Sequence, residues 1–141
     1  MIDFKYCVWI IPKKNHIWYN CTNGFIPHIT IKSKMNYNDA LNLYNSITKE
    51  NIEMNVKISS KSIYTVEKKF HALYFLVNNN VPNPVWWPEN AHVSFRYRYN
   101  YNFTEEEIKN LESEISVLNA EVSEIKLVKC SGHFNQWIII K

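Results

Sequence analysis

One six-residue pattern occurs twice in this chain and limits its possible folds more than any other feature. Pro27, His28, Ile29, Thr30, Ile31, Lys32 is matched later by Ala91, His92, Val93, Ser94, Phe95, Arg96. In each copy a histidine is followed two residues on by a hydroxyl and four on by a base. The residues between are apolar. Alternate side chains of a β-strand point to opposite faces. His28, Thr30 and Lys32 are therefore expected on one face of a strand, with Ile29 and Ile31 on the other, and the second copy alternates in the same way. Each strand would bury its apolar face and present an imidazole, a hydroxyl and a cation on the opposite one. Two such strands side by side would form a site for an anion.

The 141 residues suit one domain over 1–141 with a core of its own. Apolar residues make up 46%, which excludes a disordered chain. Sixteen Lys and Arg against 13 Asp and Glu give a formal charge of +3. That permits an anionic ligand but does not mark a protein that coats long nucleic acid. The abundance of Asn, Lys, Ile and Tyr beside only two Gly matches AT-rich coding, as in large DNA viruses. Cys7, Cys21 and Cys130 are odd in number and lack metal-ligand spacing, so free thiols in a reducing, cytoplasmic setting are expected. Asp3 and Lys5 beside a short apolar run do not make a signal peptide, and no stretch is long enough to span a membrane.

In chain order, Phe4 to Ile11 reads as a buried strand stopped by Pro12, followed by an aromatic and basic loop over 13–25. The first histidine strand occupies roughly 26–34. A helix over 38–49 follows from the Asn36–Asp39 start signals and the spacing of Ala40, Leu41, Tyr44 and Ile47. Met54 to Val66 and His71 to Val77 read as strands turning at Lys68 and Lys69. A Pro- and Asn-rich loop leads to the second histidine strand over 91–99. Thr104 and Glu107 form a capping box for a helix over 105–118, with Ile108, Leu111, Ile115 and Leu118 on its apolar stripe. Two final strands, Val122 to Lys129 and Phe134 to Ile140, flank a turn at Ser131 and Gly132.

Each histidine strand is thus followed by a helix and two strands. Asn36, Tyr37, Asn38 recurs as Asn100, Tyr101, Asn102 at the same offset as the two histidines. The order suggests an α/β (α+β) fold of two pseudo-symmetric lobes, approximately 26–77 and 91–140. Each lobe would be antiparallel strands with a helix behind, and a pseudo-two-fold axis would bring the histidine strands together at a central cleft.

Paired histidines across a cleft suit displacement at phosphorus. One neutral imidazole takes a proton from the attacking hydroxyl or water, and one imidazolium protonates the leaving oxygen. Both forms are accessible near pH 7 for a histidine of ordinary pKa, about 6.5. Thr30 and Ser94 would hydrogen-bond the non-bridging oxygens, and Lys32 and Arg96 would add positive charge. These motifs resemble the H-x-[ST]-x signature of the 2H phosphoesterase superfamily, and the resemblance covers nearly the whole chain. It implies a bilobed α/β fold and metal-independent phosphodiesterase activity, with His28, Thr30, His92 and Ser94 catalytic and no cofactor. Members act on RNA 2′,3′-cyclic phosphates, 2′-5′ linkages and cyclic nucleotide messengers. Small viral and phage members that destroy 2′-5′ oligoadenylate or cyclic dinucleotides are similar in size, which implies a small nucleotide partner and no obligate protein partner. The alternatives are an enzyme of RNA 2′,3′-cyclic ends and a non-catalytic nucleotide or RNA binder.

Base-stacking platforms are expected at Trp18, Trp86 and Trp87, with Tyr6 as a further candidate. Tyr97 and Tyr99, alternating with Arg96 and Arg98, fall on the face opposite His92 and are expected in the core. His71 and His133 are expected exposed at turns, and His16 in the first loop as a candidate ligand contact. No short histidine pair suggests zinc.

Overall fold

The computed structural model describes residues 4–50 and 53–141, which leaves Asp3 outside the described residues. The strands are β1 (Tyr6–Pro12), β2 (Ile29–Met35), β3 (Met54–Ile58), β4 (Ile63–Glu67), β5 (Phe70–Asn79), β6 (His92–Tyr99), β7 (Asn119–Lys129) and β8 (Ile138–Ile139). Helix α1 (Tyr37–Thr48) follows β2, and α2 (Glu105–Glu114) follows β6. The class is mixed α+β, and the paired strands are antiparallel. Among the described residues no helix is long and apolar enough to cross a membrane.

The sheet runs β1-β2-β6-β5-β3-β7-β8, with β4 on β5, and β1 pairs also with β7. The path from β1 round to β7 therefore closes on itself. The unit that repeats is strand, strand, helix, strand: β1-β2-α1-β3 and then β5-β6-α2-β7. Each motif strand pairs with the strand before it, β2 with β1 and β6 with β5, and the last strand of each unit crosses to the other. The strands consequently do not divide at the contiguous stretches 26–77 and 91–140.

One face of the strands supplies the main core. Val8, Ile10, Ile29, Phe75, Val93, Phe95 and Leu127 pack there with Ala40 and Ile47 of α1 and Leu111 of α2. Asn36 caps α1, its side chain accepting from the Asp39 N–H at 2.8 Å. The expected box starts α2: the Glu107 N–H donates to Thr104 Oγ1 and the Thr104 N–H to Glu107 Oε1, both at 3.1 Å. Arg98 also grips the Glu107 carboxylate, and that bond holds its pKa down to about 2. Thr104→Ala is expected to lower stability by about 1 kcal/mol, read from the urea midpoint.

Helix α2 stops at Glu114, earlier than its apolar stripe predicts. Ile115, at φ −81° and ψ 80°, turns the chain out so that β7 can begin at Asn119 opposite Lys57. Ile115 still packs in the core, so the stripe continues where the helix does not. The last expected strand is reduced to β8. Its first part is a 3₁₀ turn, Phe134–Gln136, capped by His133, whose Nδ1 accepts from the Asn135 N–H at 3.3 Å. The loop after β1 holds a second 3₁₀ turn, Ile17–Asn20.

Candidate functional site

The two motif strands meet at one pair of residues, Ile29 and Val93, both fully buried in the core. One residue along either strand, the same register sets His28 against Ser94 and Thr30 against His92. Their side chains lie on the face opposite the core. A cavity of about 490 Å³ opens on that face and is lined by His28, Thr30 and His92. Ser94 is buried and stays out of the lining, which Tyr97 joins instead.

The histidines are held in the same way. His28 Nδ1 lies 2.7 Å from the Ile26 carbonyl oxygen and His92 Nδ1 lies 3.1 Å from that of Asn90. A carbonyl only accepts, so each Nδ1 carries a proton and each neutral ring keeps its lone pair on Nε2. The His28 ring stacks on Trp9, with centroids 3.7 Å apart and planes 12° from parallel. Trp9 stands beside Thr30 on the neighbouring strand, which fixes it on the cleft face. His92, half-buried, packs its ring 4.6 Å from that of Tyr74.

Burial drives the His28 pKa from 6.5 down to about 4; the bond to Ile26 opposes this shift and the charge of His92 assists it. His28 is thus neutral at pH 7. Unfolded His28 takes up a proton as pH falls through 6.5, whereas the folded residue resists until about 4. This stabilisation is complete above 6.5 and is lost as pH falls from there to 4, reaching roughly 3 kcal/mol. The urea midpoint is expected to drop between pH 7 and pH 4.5, and to drop less in His28→Gln.

The two motif cations do not share this face. Trp9 pairs with Thr30 but Val8 with Lys32, and Tyr74 pairs with Ser94 but Leu73 with Arg96. Each motif strand therefore carries one extra residue at the same place, Ile31 in β2 and Phe95 in β6. Such a bulge puts two consecutive side chains on one side and reverses the alternation beyond it. Lys32 accompanies Ile31 into a separate cavity with Leu43, Ser46 and Trp86. Arg96 accompanies Phe95 toward α2, its Nη2 2.7 Å from Glu114 Oε2. The same reversal carries Tyr97 and Tyr99 onto the histidine side, where Tyr97 packs on Phe25 and Phe70. Burial raises the Tyr97 pKa to about 12, so its hydroxyl keeps its proton. A second irregularity, with Lys34 at φ +56°, brings Ser33 and Lys34 to the cleft, where Lys5 also lies.

The expected stacking residues sit elsewhere. Trp18 is 1% exposed; its Nε1–H donates to the Val117 carbonyl at 2.8 Å and its ring meets Phe95 edge-on. Trp86 bonds Glu50 through Nε1–H at 2.8 Å on the α1 side of β2, and Trp87 packs against the core. Tyr6 faces Tyr37 of α1, since Cys7 and Trp9 are the β1 residues that turn to the cleft. The aromatics that do reach the cavity are Phe4, Trp9, Phe70, Tyr97 and Trp137. Trp9 and Tyr97 were hidden in strands that read as core, and Trp137 in what read as an ordinary final strand.

The other histidines bond within the fold. His71 is buried rather than exposed, with Nδ1 2.6 Å from the Tyr64 hydroxyl. His16 caps the first 3₁₀ turn, its Nδ1 accepting from Trp18 N–H and its Nε2 bonding the Asn119 carbonyl. His133 caps the second. Cys7 and Cys130 both line the cavity wall; the neighbouring Cys130 thiol lowers the Cys7 pKa, while Cys7 and burial raise that of Cys130. No protein-family model and no curated protein matches the chain in sequence.

Proposed function

We propose that this protein is a two-histidine phosphodiesterase with a bilobed 2H phosphoesterase-like fold. Its substrate would be a 2′-5′-linked or cyclic nucleotide messenger such as 2′-5′ oligoadenylate or cyclic GMP-AMP. The observation that carries the reading is the matched pair of imidazoles. Both are anchored through Nδ1 on the carbonyl two residues back, and both border one cavity beside Thr30.

In this reading the phosphodiester lies in the cleft between β2 and β6. His28, neutral at pH 7 with its one ring proton on Nδ1, takes a second from the attacking ribose hydroxyl or water through Nε2. His92, half-buried on the other side of the cleft, delivers a proton to the leaving oxygen. Thr30 donates to a non-bridging oxygen as charge builds, and Tyr97 supplies a second donor. Lys5 and Lys34 attract the anion in the place expected of Lys32 and Arg96. No step requires a metal or cofactor. The volume falls in the range of small-molecule pockets, and its aromatic walls favour a compact nucleotide over a long strand. A messenger of this kind implies action in the cytoplasm, and for a viral protein in that of the host.

The test is turnover in EDTA of 2′-5′ oligoadenylate, 2′,3′-cyclic GMP-AMP, a 3′,3′-cyclic dinucleotide and an RNA with a 2′,3′-cyclic phosphate end. Cleavage of a messenger, lost in His28→Ala and His92→Ala, is the expected result. Cleavage of the RNA end alone would shift the assignment to RNA processing. Binding without turnover of any substrate would make the protein a nucleotide-binding module.

A further inference from the structure

Trp9 and Trp137 border a second cavity as well as the first. It measures about 390 Å³ and is walled further by Phe25, Phe134 and Asn135, with Gly24 at φ +93° lending bare backbone. The two indoles meet edge-on, 5.8 Å between centroids, and form a wall shared by the two neighbouring cavities. The two differ in chemistry. The first holds both candidate catalytic histidines and three charged residues, Lys5, Lys34 and Glu67; the second has no charged residue in its wall.

We propose that this second cavity is a nucleobase subsite, taking the base of a nucleoside next to the scissile phosphate. The proposal rests on the phosphodiesterase reading, because the base reaches the pocket from a phosphate held at His28 and His92. A wall free of charge suits a flat neutral group and not a second phosphate. Trp137 and Phe25, both half-buried, offer ring faces of the kind on which bases stack. Asn135 supplies the polar edge. One end of its side-chain amide lies 2.8 Å from His133 Nδ1, and the other end has no hydrogen bond among the described residues. A free amide end in an aromatic slot can hydrogen-bond the polar edge of a purine or pyrimidine. The ligand class that fills both cavities is therefore at least one nucleoside joined through a phosphodiester, in place of a bare cyclic phosphate end.

The experiment is calorimetric titration of the intact protein, made inert to turnover by His92→Ala. The probes are 2′-5′-linked diadenylate and the same molecule with one adenine replaced by hydrogen, each abasic position being tested. The full ligand is expected to bind about 5- to 150-fold more tightly than one of the abasic analogues, the range for one stacked base. Adding Trp137→Ala should abolish that difference, and Trp137→Phe, which keeps a ring face, should retain most of it. Equal binding of both analogues and the parent, or a preference untouched by Trp137→Ala, overturns the subsite. Hydrolysis of bis(4-nitrophenyl) phosphate by wild type, which needs no base, tests the two histidines separately. Its absence counts against the catalytic reading, while the base preference still decides the pocket.

Discussion

Replacing His28 or His92 with alanine is expected to lower turnover of the cleaved nucleotide by roughly 10²–10⁴-fold each, the usual weight of one positioned proton transfer. The two losses should combine to less than their product, since residues that act as a unit are not additive. The variants should also differ in kind. His28 fills the space over Trp9 and bonds the Ile26 carbonyl, so its removal disturbs packing as well as chemistry. His28→Gln keeps a polar group of similar reach and serves as the control for that loss. His92, half-buried at the start of β6, should give a variant whose urea midpoint stays close to wild type. The pH profile assigns the roles. If His28 is the base, kcat/KM should fall only as pH drops toward about 4, where its Nε2 becomes protonated. An acid limb unchanged in His28→Gln would remove His28 from the base role.

The sequence announces the part of this site that depends on strict alternation. Over His28 to Thr30 and His92 to Ser94 the period of two holds, and the apolar partners Ile29 and Val93 meet in the core as a two-faced strand demands. The next residue of each strand ends that legibility. A bulge is one unpaired residue set by the neighbouring strand, and nothing in Ile31 or Phe95 betrays it. Yet it reverses every later side chain, which is why Lys32 and Arg96 leave the cleft while Tyr97 enters it. Strand partnership was hidden for a related reason. The repeat showed a helix and strands after each motif, but the hydrogen-bonded neighbour of each motif strand precedes it in the chain. The aromatic residues failed differently. A tryptophan in a loop reads as a candidate platform, and only the tertiary fold shows that the loop folds inward over β6.

Trp18 is the residue where that difference has the largest measurable consequence for stability. Its side chain is fully buried, its indole N–H is satisfied by the Val117 carbonyl, and its ring stands at 88° to that of Phe95. Trp18→Ala is expected to cost about 3–5 kcal/mol, from lost burial and the cavity left behind. The Val117 carbonyl would lose its donor as well. Trp18→Phe restores much of the burial but not that bond, and should cost about 1–3 kcal/mol. Both losses are read from urea unfolding with the slope held constant. A ligand platform would behave otherwise: the alanine variant would unfold like wild type and bind nucleotide weakly. Phe95 is also the extra residue of the β6 bulge, immediately after Ser94. The packing of Trp18 on it therefore braces the turn-over of the strand that separates Arg96 from the cleft. Nucleotide affinity in Trp18→Phe, measured where the protein remains folded, should stay near wild type, because the bulge keeps an aromatic neighbour. In the alanine variant the same support is gone, and turnover should decline together with stability.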